Sequence, residues 1–186
     1  MAIAEYDYVI VGGGSAGCVL AGRLSEDPHV TVCLIEAGSR GDSWLTRIPG
    51  AIFITVPTRL HNWAFETVPQ AGLNGRKGYQ PRGKVLGGSS AINAMMYARG
   101  HRADYDHWAS LGNPGWSFES VLPYFKRSEH NTSHQNDLHG QGGPLHVTEL
   151  QRPSTLLDVF IAAAATQNIP YNPDINGVQQ HGVGIT

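Results

Sequence analysis

The chain has 186 residues, with 13 Lys and Arg against 15 Asp and Glu and a net charge of −2 at neutral pH. That length allows one sizeable hydrophobic core and part of a second domain. The near balance of charge, with no basic run, excludes a nucleic-acid-binding class. Charged residues make up only 15% while Gly (23) and Pro (11) abound, which fits a loop-rich globular protein and not a disordered one.

No charged and apolar leader precedes the first predicted strand, so no secretory signal is expected. No apolar run approaches the ~18 residues of a membrane span. Cys18 falls on the first predicted helix and Cys33 in the second predicted strand. Both are expected to be buried and unbridged, which fits a reducing compartment. The expected localisation is cytoplasmic, with peripheral attachment to the inner membrane as a variant. The sequon Asn131-Thr132-Ser133 is then expected to be idle.

In chain order, Tyr8-Val9-Ile10-Val11 reads as a buried parallel strand. It enters Gly12-Gly13-Gly14-Ser15-Ala16-Gly17, a G-x-G-x-x-G, and Cys18 to Leu24 continue at helical spacing. A second strand, His29 to Ile35, ends in Glu36. In such a unit Gly12 permits the tight exit from the strand, Gly14 lets a pyrophosphate approach the backbone, and Gly17 lets the helix lie close to the sheet. The helix start offers free N–H groups and partial positive charge to a diphosphate. Glu36 stands where a carboxylate meets a ribose diol. Both NAD and FAD fit this pattern.

Residues 39–81 hold scattered Pro, Gly and Trp, and they read as an irregular, lid-like excursion with one short strand at Asn62 to Val68. A second glycine turn, Gly87-Gly88-Ser89-Ser90, precedes an apolar run that reads as a buried helix, with Ser89 or Ser90 as its cap. Arg82 and Lys84 would add positive charge beside it. A structural turn under a core helix explains this stretch equally well. Further on, a helix is expected from Asp104 through Trp108, and another from Phe118 to Ser128 capped by Ser117. The second would show an apolar face of Val121, Leu122, Tyr124 and Phe125, with Pro123 bending or delaying it. Ser128 to Gly143 reads as a solvated loop, and its His130, His134 and His139 lack the spacing of a metal site. Leu145 to Thr148 reads as a strand. Ser154 should cap a helix to Gln167 with Leu157, Ile161 and Ala164 inward.

Two stretches carry a family resemblance: Asp7 to Gly17 through Leu34-Ile35-Glu36-Ala37-Gly38, and Gly83-Lys84-Val85-Leu86-Gly87-Gly88-Ser89-Ser90-Ala91-Ile92-Asn93 through Tyr97, Gly100 and Asp106. The chain resembles the N-terminal part of the glucose-methanol-choline (GMC) oxidoreductases, FAD-dependent alcohol oxidases and dehydrogenases, and is nearest to the bacterial choline and alcohol dehydrogenase branch. Asn62-Trp63, Trp108, Leu122 to Phe125 and Gly142 to Leu145 extend the likeness over essentially the whole chain.

The resemblance implies an α/β fold, with a Rossmann-like FAD-binding domain built on a parallel sheet over residues 1–150. The start of an α+β substrate domain would follow over 151–186. It implies FAD, with Gly12, Gly14, Ser15, Ala16 and Gly17 at the diphosphate and Glu36 and Ala37 at the adenosine ribose. Val85, Gly87, Gly88 and Ser89 would line the middle of the cofactor. Asn93, Ala94, Met95 and Met96 would run beside the flavin ring, with Trp63 close to the cofactor. Some relatives carry a flavin-linked histidine where this chain has Ile92, so FAD is expected to be held noncovalently. The family's catalytic histidine lies near the far C-terminus of longer chains, so no base is assigned among the nine histidines. The implied whole is an alcohol oxidoreductase completed by a missing C-terminal half, taking a small-molecule alcohol and passing electrons to oxygen, a quinone or a dye. A stand-alone FAD-binding module and a lyase that uses FAD structurally are the alternatives.

Overall fold

The computed structural model describes residues 4–151 and 153–185. The chain forms two compact units, Met1–Met95 and Met96–Thr186, and the architecture is mixed α and β.

In the first unit, strand β1 (Tyr8–Val11) passes through the glycine turn into helix α1 (Ser15–Leu24) and then strand β2 (Val32–Ile35). The two strands pair in parallel, Tyr8 opposite Val32 and Val11 opposite Ile35. Such pairing needs the crossover that α1 supplies. The strand entrances are tied by Asp7, whose carboxylate accepts from the Thr31 amide and hydroxyl, each at 2.7 Å. The Thr31 amide first, and then its hydroxyl, hold the Asp7 carboxyl below the usual carboxylate range. The second strand begins at Val32 and not at His29, because Asp27 turns the chain by accepting the His29 amide at 2.9 Å.

Burial corrects the sequence reading of β1. Val9 and Val11 are 56% and 83% exposed, since the sheet has two strands and α1 is the only described helix packed on it. Cys18 and Cys33 are free and only half-buried.

The excursion that follows holds two one-turn helices, α2 (Trp44–Arg47) and α3 (Ile52–Thr55), and a ribbon of strands β3 (Phe65–Glu66) and β4 (Tyr79–Gln80). The expected strand from Asn62 shrinks to two residues. His61 and Ala64 take φ of 56° and 51°, left-handed conformations that break extension. Beyond the second glycine turn the expected helix does not form either. A single 3-10 turn, Gly88–Ala91, gives way to irregular chain through Met95, itself at φ 60°.

In the second unit, helix α4 (Arg102–Ser110) starts two residues ahead of the expected Asp104. His101 caps it, its Nδ1 accepting the Ala103 amide at 3.1 Å while Asp104 accepts the His101 amide at 3.0 Å. Helix α5 (Phe118–Ser128) has the expected Ser117 cap and runs through Pro123 with no delay. Its inward stripe is Phe118, Val121, Leu122 and Phe125, at i, i+3, i+4 and i+7. Tyr124 lies off that stripe and is 69% exposed, contrary to expectation. Tyr105 of α4 meets Phe118 and Phe125 of α5 at ring separations of 6.2 and 5.6 Å.

The stretch read as a solvated loop opens with strand β5 (Glu129–Asn131), which pairs in parallel with strand β6 (Leu145–Val147). Glu129, Asn131 and His139 are buried there, so the sequon asparagine is an interior residue. Helix α6 (Thr155–Thr166) carries the predicted Ser154 cap, and Leu157, Ile161 and Ala164 are its more buried positions.

Candidate functional site

The two glycine turns, some seventy residues apart in sequence, abut within the first unit. The Gly87 amide donates to the Gly13 carbonyl at 2.7 Å. A parallel bridge between Ser39 and Val85, with the Leu86 amide donating to the Ser39 carbonyl at 2.8 Å, continues the seam. Gly88 shows why glycine stands here. Its φ is +58°, and a Cβ on it would sit 2.7 Å from the Gly14 Cα, well inside contact distance. Gly17 packs just as tightly, since a Cβ there would strike the Gly12 carbonyl.

Gly14 is different. It is the N-cap of α1, and a Cβ on it would meet nothing nearer than the Gly88 Cα at 4.0 Å. The space in front of Gly14 is therefore open on the protein side. No side chain caps α1 and no acid stands in its first turn. An uncapped helix start beside open backbone suits an anion with several acceptor oxygens, the chemistry of a diphosphate.

Glu36, at the end of β2, is pinned by two amides. Its Oε2 accepts from Gly13 at 2.7 Å and its Oε1 from Gly38 at 2.8 Å. This holds the carboxylate at the lip of the first turn, with lone pairs left over for a hydroxyl. Ala37 follows on the surface. In the second turn, Gly87 is the cap of the 3-10 turn in place of either serine. Ser90 Oγ bonds back to the Gly87 carbonyl at 2.7 Å, and Ser89 Oγ accepts the Gly83 amide at 3.0 Å. Val85 is fully buried beneath them.

Asn93, Ala94, Met95 and Met96 form an exposed run, in which the Asn93 side chain accepts the Met95 amide at 3.0 Å. Ile92 is buried. Trp63 is 39% exposed, stacks on Phe65 at 5.6 Å with rings 8° from parallel, and lies under the Lys84 ammonium at 4.3 Å. Lys84 thus lends its charge to an aromatic face.

Asn62 is a residue whose weight the sequence did not show. It is buried, and its amide reaches the Val56 and Thr58 carbonyls at 3.0 Å and the Thr55 carbonyl at 3.2 Å. Its Oδ1 accepts from Ala64 at 3.0 Å and Arg82 at 2.9 Å. One side chain so ties the 55–58 turn to the end of the excursion at Arg82 and sets the strained turn that presents Trp63. Nothing in its neighbours' spacing announces this, because its partners, apart from the Tyr79 hydroxyl at 2.9 Å, are backbone groups. Among the described residues no cluster of three or more His, Cys, Asp or Glu is placed to hold a metal.

Comparison with known proteins gives the family. Residues 6–186 match the GMC oxidoreductase family, and the chain belongs to it. It is 47% identical over 181 residues to the alcohol dehydrogenase [acceptor] of Pseudomonas putida, covering 97% of this chain and 33% of that enzyme. Mitochondrial choline dehydrogenase of Mus musculus is 42% identical over 187 residues, with 97% and 31% covered. Among solved structures, an FAD-dependent oxidoreductase from Chaetomium thermophilum matches with a TM-score of 0.87 at 36% identity, covering 97% of this chain and 32% of that one. The chain spans about a third of the length of the curated relatives it matches.

Proposed function

We propose that this chain is the FAD-binding portion of a flavin-dependent alcohol oxidoreductase. The observation that carries the reading is the contact of the two glycine turns through Gly87 and Gly13. It makes a single backbone-lined seam that is too narrow at Gly88 for any Cβ. The first unit would supply a Rossmann-like β-α-β fold for the adenosine half. Functionally, residues 1–150 would form the cofactor domain and the segment from 151 would begin a substrate domain, a division that cuts through the second compact unit.

Gly12, Gly14, Ser15, Ala16 and Gly17 would hold the diphosphate on amides and helix dipole, and Glu36 with Ala37 would receive the ribose. Val85, Gly87, Gly88 and Ser89 would line the middle of the seam. Asn93, Ala94, Met95, Met96 and Trp63 would border the ring, excluding water from one side. When bound, FAD supplies the hydride-accepting centre for oxidation of an alcohol. The base that takes the hydroxyl proton would come from a region corresponding to the longer relatives' remaining two-thirds. The substrate would be a small alcohol, and oxygen or a quinone the acceptor. Ile92 offers no nucleophile where a covalent flavin link would need one, so the cofactor would be held noncovalently.

Acid precipitation of purified protein containing this chain tests the reading. The flavin should pass entirely into the supernatant and be identified there as FAD. Yellow colour retained in the pellet would overturn the noncovalent assignment, and protein that purifies without flavin and binds none when FAD is added would overturn the cofactor itself.

A further inference from the structure

The second unit holds a connected set of buried and part-buried ionisable side chains. Glu129 is fully buried, and its Oε2 accepts from Arg99 Nη2 and from the Gly140 amide, each at 2.7 Å. Its Oε1 faces His139 Nδ1 at 3.0 Å and Asn131 Nδ2 at 3.1 Å. The other ring nitrogen, Nε2, faces Asp174 Oδ2 at 2.9 Å. His139 therefore stands between two carboxylates contributed by segments far apart in the chain.

The hydrogen count around the ring decides its state. The Asn131 amide is oriented by its Oδ1, which accepts from Ser133 at 2.9 Å and His134 at 2.7 Å, so Nδ2 points inward as a donor. It lies 3.0 Å from His139 Nδ1 and can serve a bare Nδ1 or the Glu129 oxygen. A bare Nδ1 would set its lone pair against that of Glu129 Oε1 and leave Arg99, Glu129 and the part-buried Asp174 with a net negative charge. A hydrogen on Nδ1 alone leaves the same charge and turns a bare Nε2 against Asp174 Oδ2; with both ring nitrogens protonated, Nδ1 donates to Glu129, Nε2 to Asp174, and the four groups sum to zero. The neighbouring charges are few. The His134 ring is 5.2 Å away and itself pairs with Glu149 at 3.3 Å.

We propose that His139 is held as an imidazolium clasped between Glu129 and Asp174, and that this clasp is a proton-sensitive latch on the turn Asn172–Gly177. The turn forms one wall of an open cleft of about 520 Å³, lined by Pro170, Asn172, Asp174 and Gln179 and faced by Asn136 and Leu138. The His139–Asp174 contact ties this turn to the segment that carries Asn136 and Leu138 on the other side of the cleft. Taking a proton from the ring, or adding one to either carboxylate, leaves a contact without its hydrogen bond or its charge. The turn is also tied at Asn176, which accepts the Arg99 amide at 2.7 Å and donates to the Tyr97 carbonyl at 2.9 Å. Release of the latch therefore loosens the turn locally and does not unfold the unit.

Ring-nitrogen NMR of histidine-labelled protein at neutral pH should show both His139 nitrogens carrying hydrogen. The signal is assigned by its loss in His139→Gln or, if that variant does not fold, by its displacement in Asp174→Asn. Amide exchange is the second reading. The Val183 amide, bonded to the Pro170 carbonyl, and the Gly177 amide, bonded to the Asp174 carbonyl, should exchange about tenfold faster in Asp174→Asn, the loss expected of one charge-assisted hydrogen bond. Amides within α5 should not change. A His139 nitrogen without hydrogen at neutral pH overturns the clasp. Exchange at Val183 and Gly177 no faster than in the parent overturns the latch.

Discussion

Replacing Gly88 by alanine is expected to weaken both the fold around the glycine seam and its hold on FAD. Two effects add. Gly88 sits at φ +58°, where a non-glycine residue is disfavoured by roughly 1–2 kcal/mol. Its new methyl would also lie 2.7 Å from the Gly14 Cα, against an optimal carbon–carbon separation of about 3.5–4.0 Å. The two turns must then part by about 1 Å, which severs or stretches the Gly87–Gly13 hydrogen bond, and such overpacking costs about 1–3 kcal/mol. Together these give about 2–5 kcal/mol of lost stability, and the parted turns should also bind FAD measurably more weakly. Gly14→Ala is the control. Its φ is −78° and its methyl would point into open space. That variant should keep the parent's denaturation midpoint in the absence of flavin yet still lose FAD, because the methyl would occupy the diphosphate's place. FAD titration by quenching of flavin fluorescence, paired with denaturant unfolding of the flavin-free proteins, reads both quantities. If Gly88→Ala binds FAD as the parent does and unfolds at the same midpoint, the abutting turns are not the binding seam.

Asn62→Ala should take the side-chain donor from the Thr55 and Thr58 carbonyls, the Val56 carbonyl keeping the Tyr79 hydroxyl, and so lower stability by about 2–4 kcal/mol, measured as a shift in the urea midpoint, and a shift near zero would show that water replaces the side chain. Glu129 gives a pH dependence. Burial pushes its carboxyl up, but the Gly140 amide, His139, Asn131 and the Arg99 guanidinium outweigh burial, and the net displacement is downward. A carboxyl lowered in the folded state stabilises above its unfolded value and loses that contribution as pH falls through its folded value. Acid unfolding should accordingly be steeper in the parent than in Glu129→Gln, and parallel acid profiles would count against the network. The 186-residue chain alone should not turn over alcohols in a dye-reduction assay, and steady turnover would place the base within it.

The parts of this protein legible in the sequence are those whose physics is local. A strand, a glycine turn, a helix and a terminal acid follow one another within Tyr8 to Glu36, each with its own residue signature, and the structure keeps their order. Ser117 and Ser154 could be read as caps because a cap acts on amides two or three residues away. The second glycine turn was legible for the same reason, but that it meets the first followed only from the family resemblance and not from any local pattern, since the Gly87–Gly13 bond joins positions far apart in sequence. The failures have one character. The helix expected after Ser90 is replaced by irregular chain because Gly87 and Gly88 hold left-handed conformations and Ser89 is used by Gly83, so neither serine is free to cap it.

The stretch from Ser128 to Gly143 shows the limit most sharply. By composition it is a polar, solvated loop, yet Glu129, Asn131 and His139 are interior. Polar residues enter a core only when each donor and acceptor is matched, and here the matches come from Arg99, Gly140 and Asp174. None of these stands in a periodic relation to the residue it satisfies. The Asp174 carboxyl follows the same logic as Glu129. Burial raises it, while the His139 hydrogen bond, the His139 and His134 charges and the Asn176 amide lower it, with a net displacement downward. A hydrophobic pattern can be read one residue at a time because water is the common partner of every exposed group. A buried ionic set cannot, because each member is stable only in the presence of the others. That is why the two glycine turns could be read from the chain's glycines, and the surroundings of His139 could not.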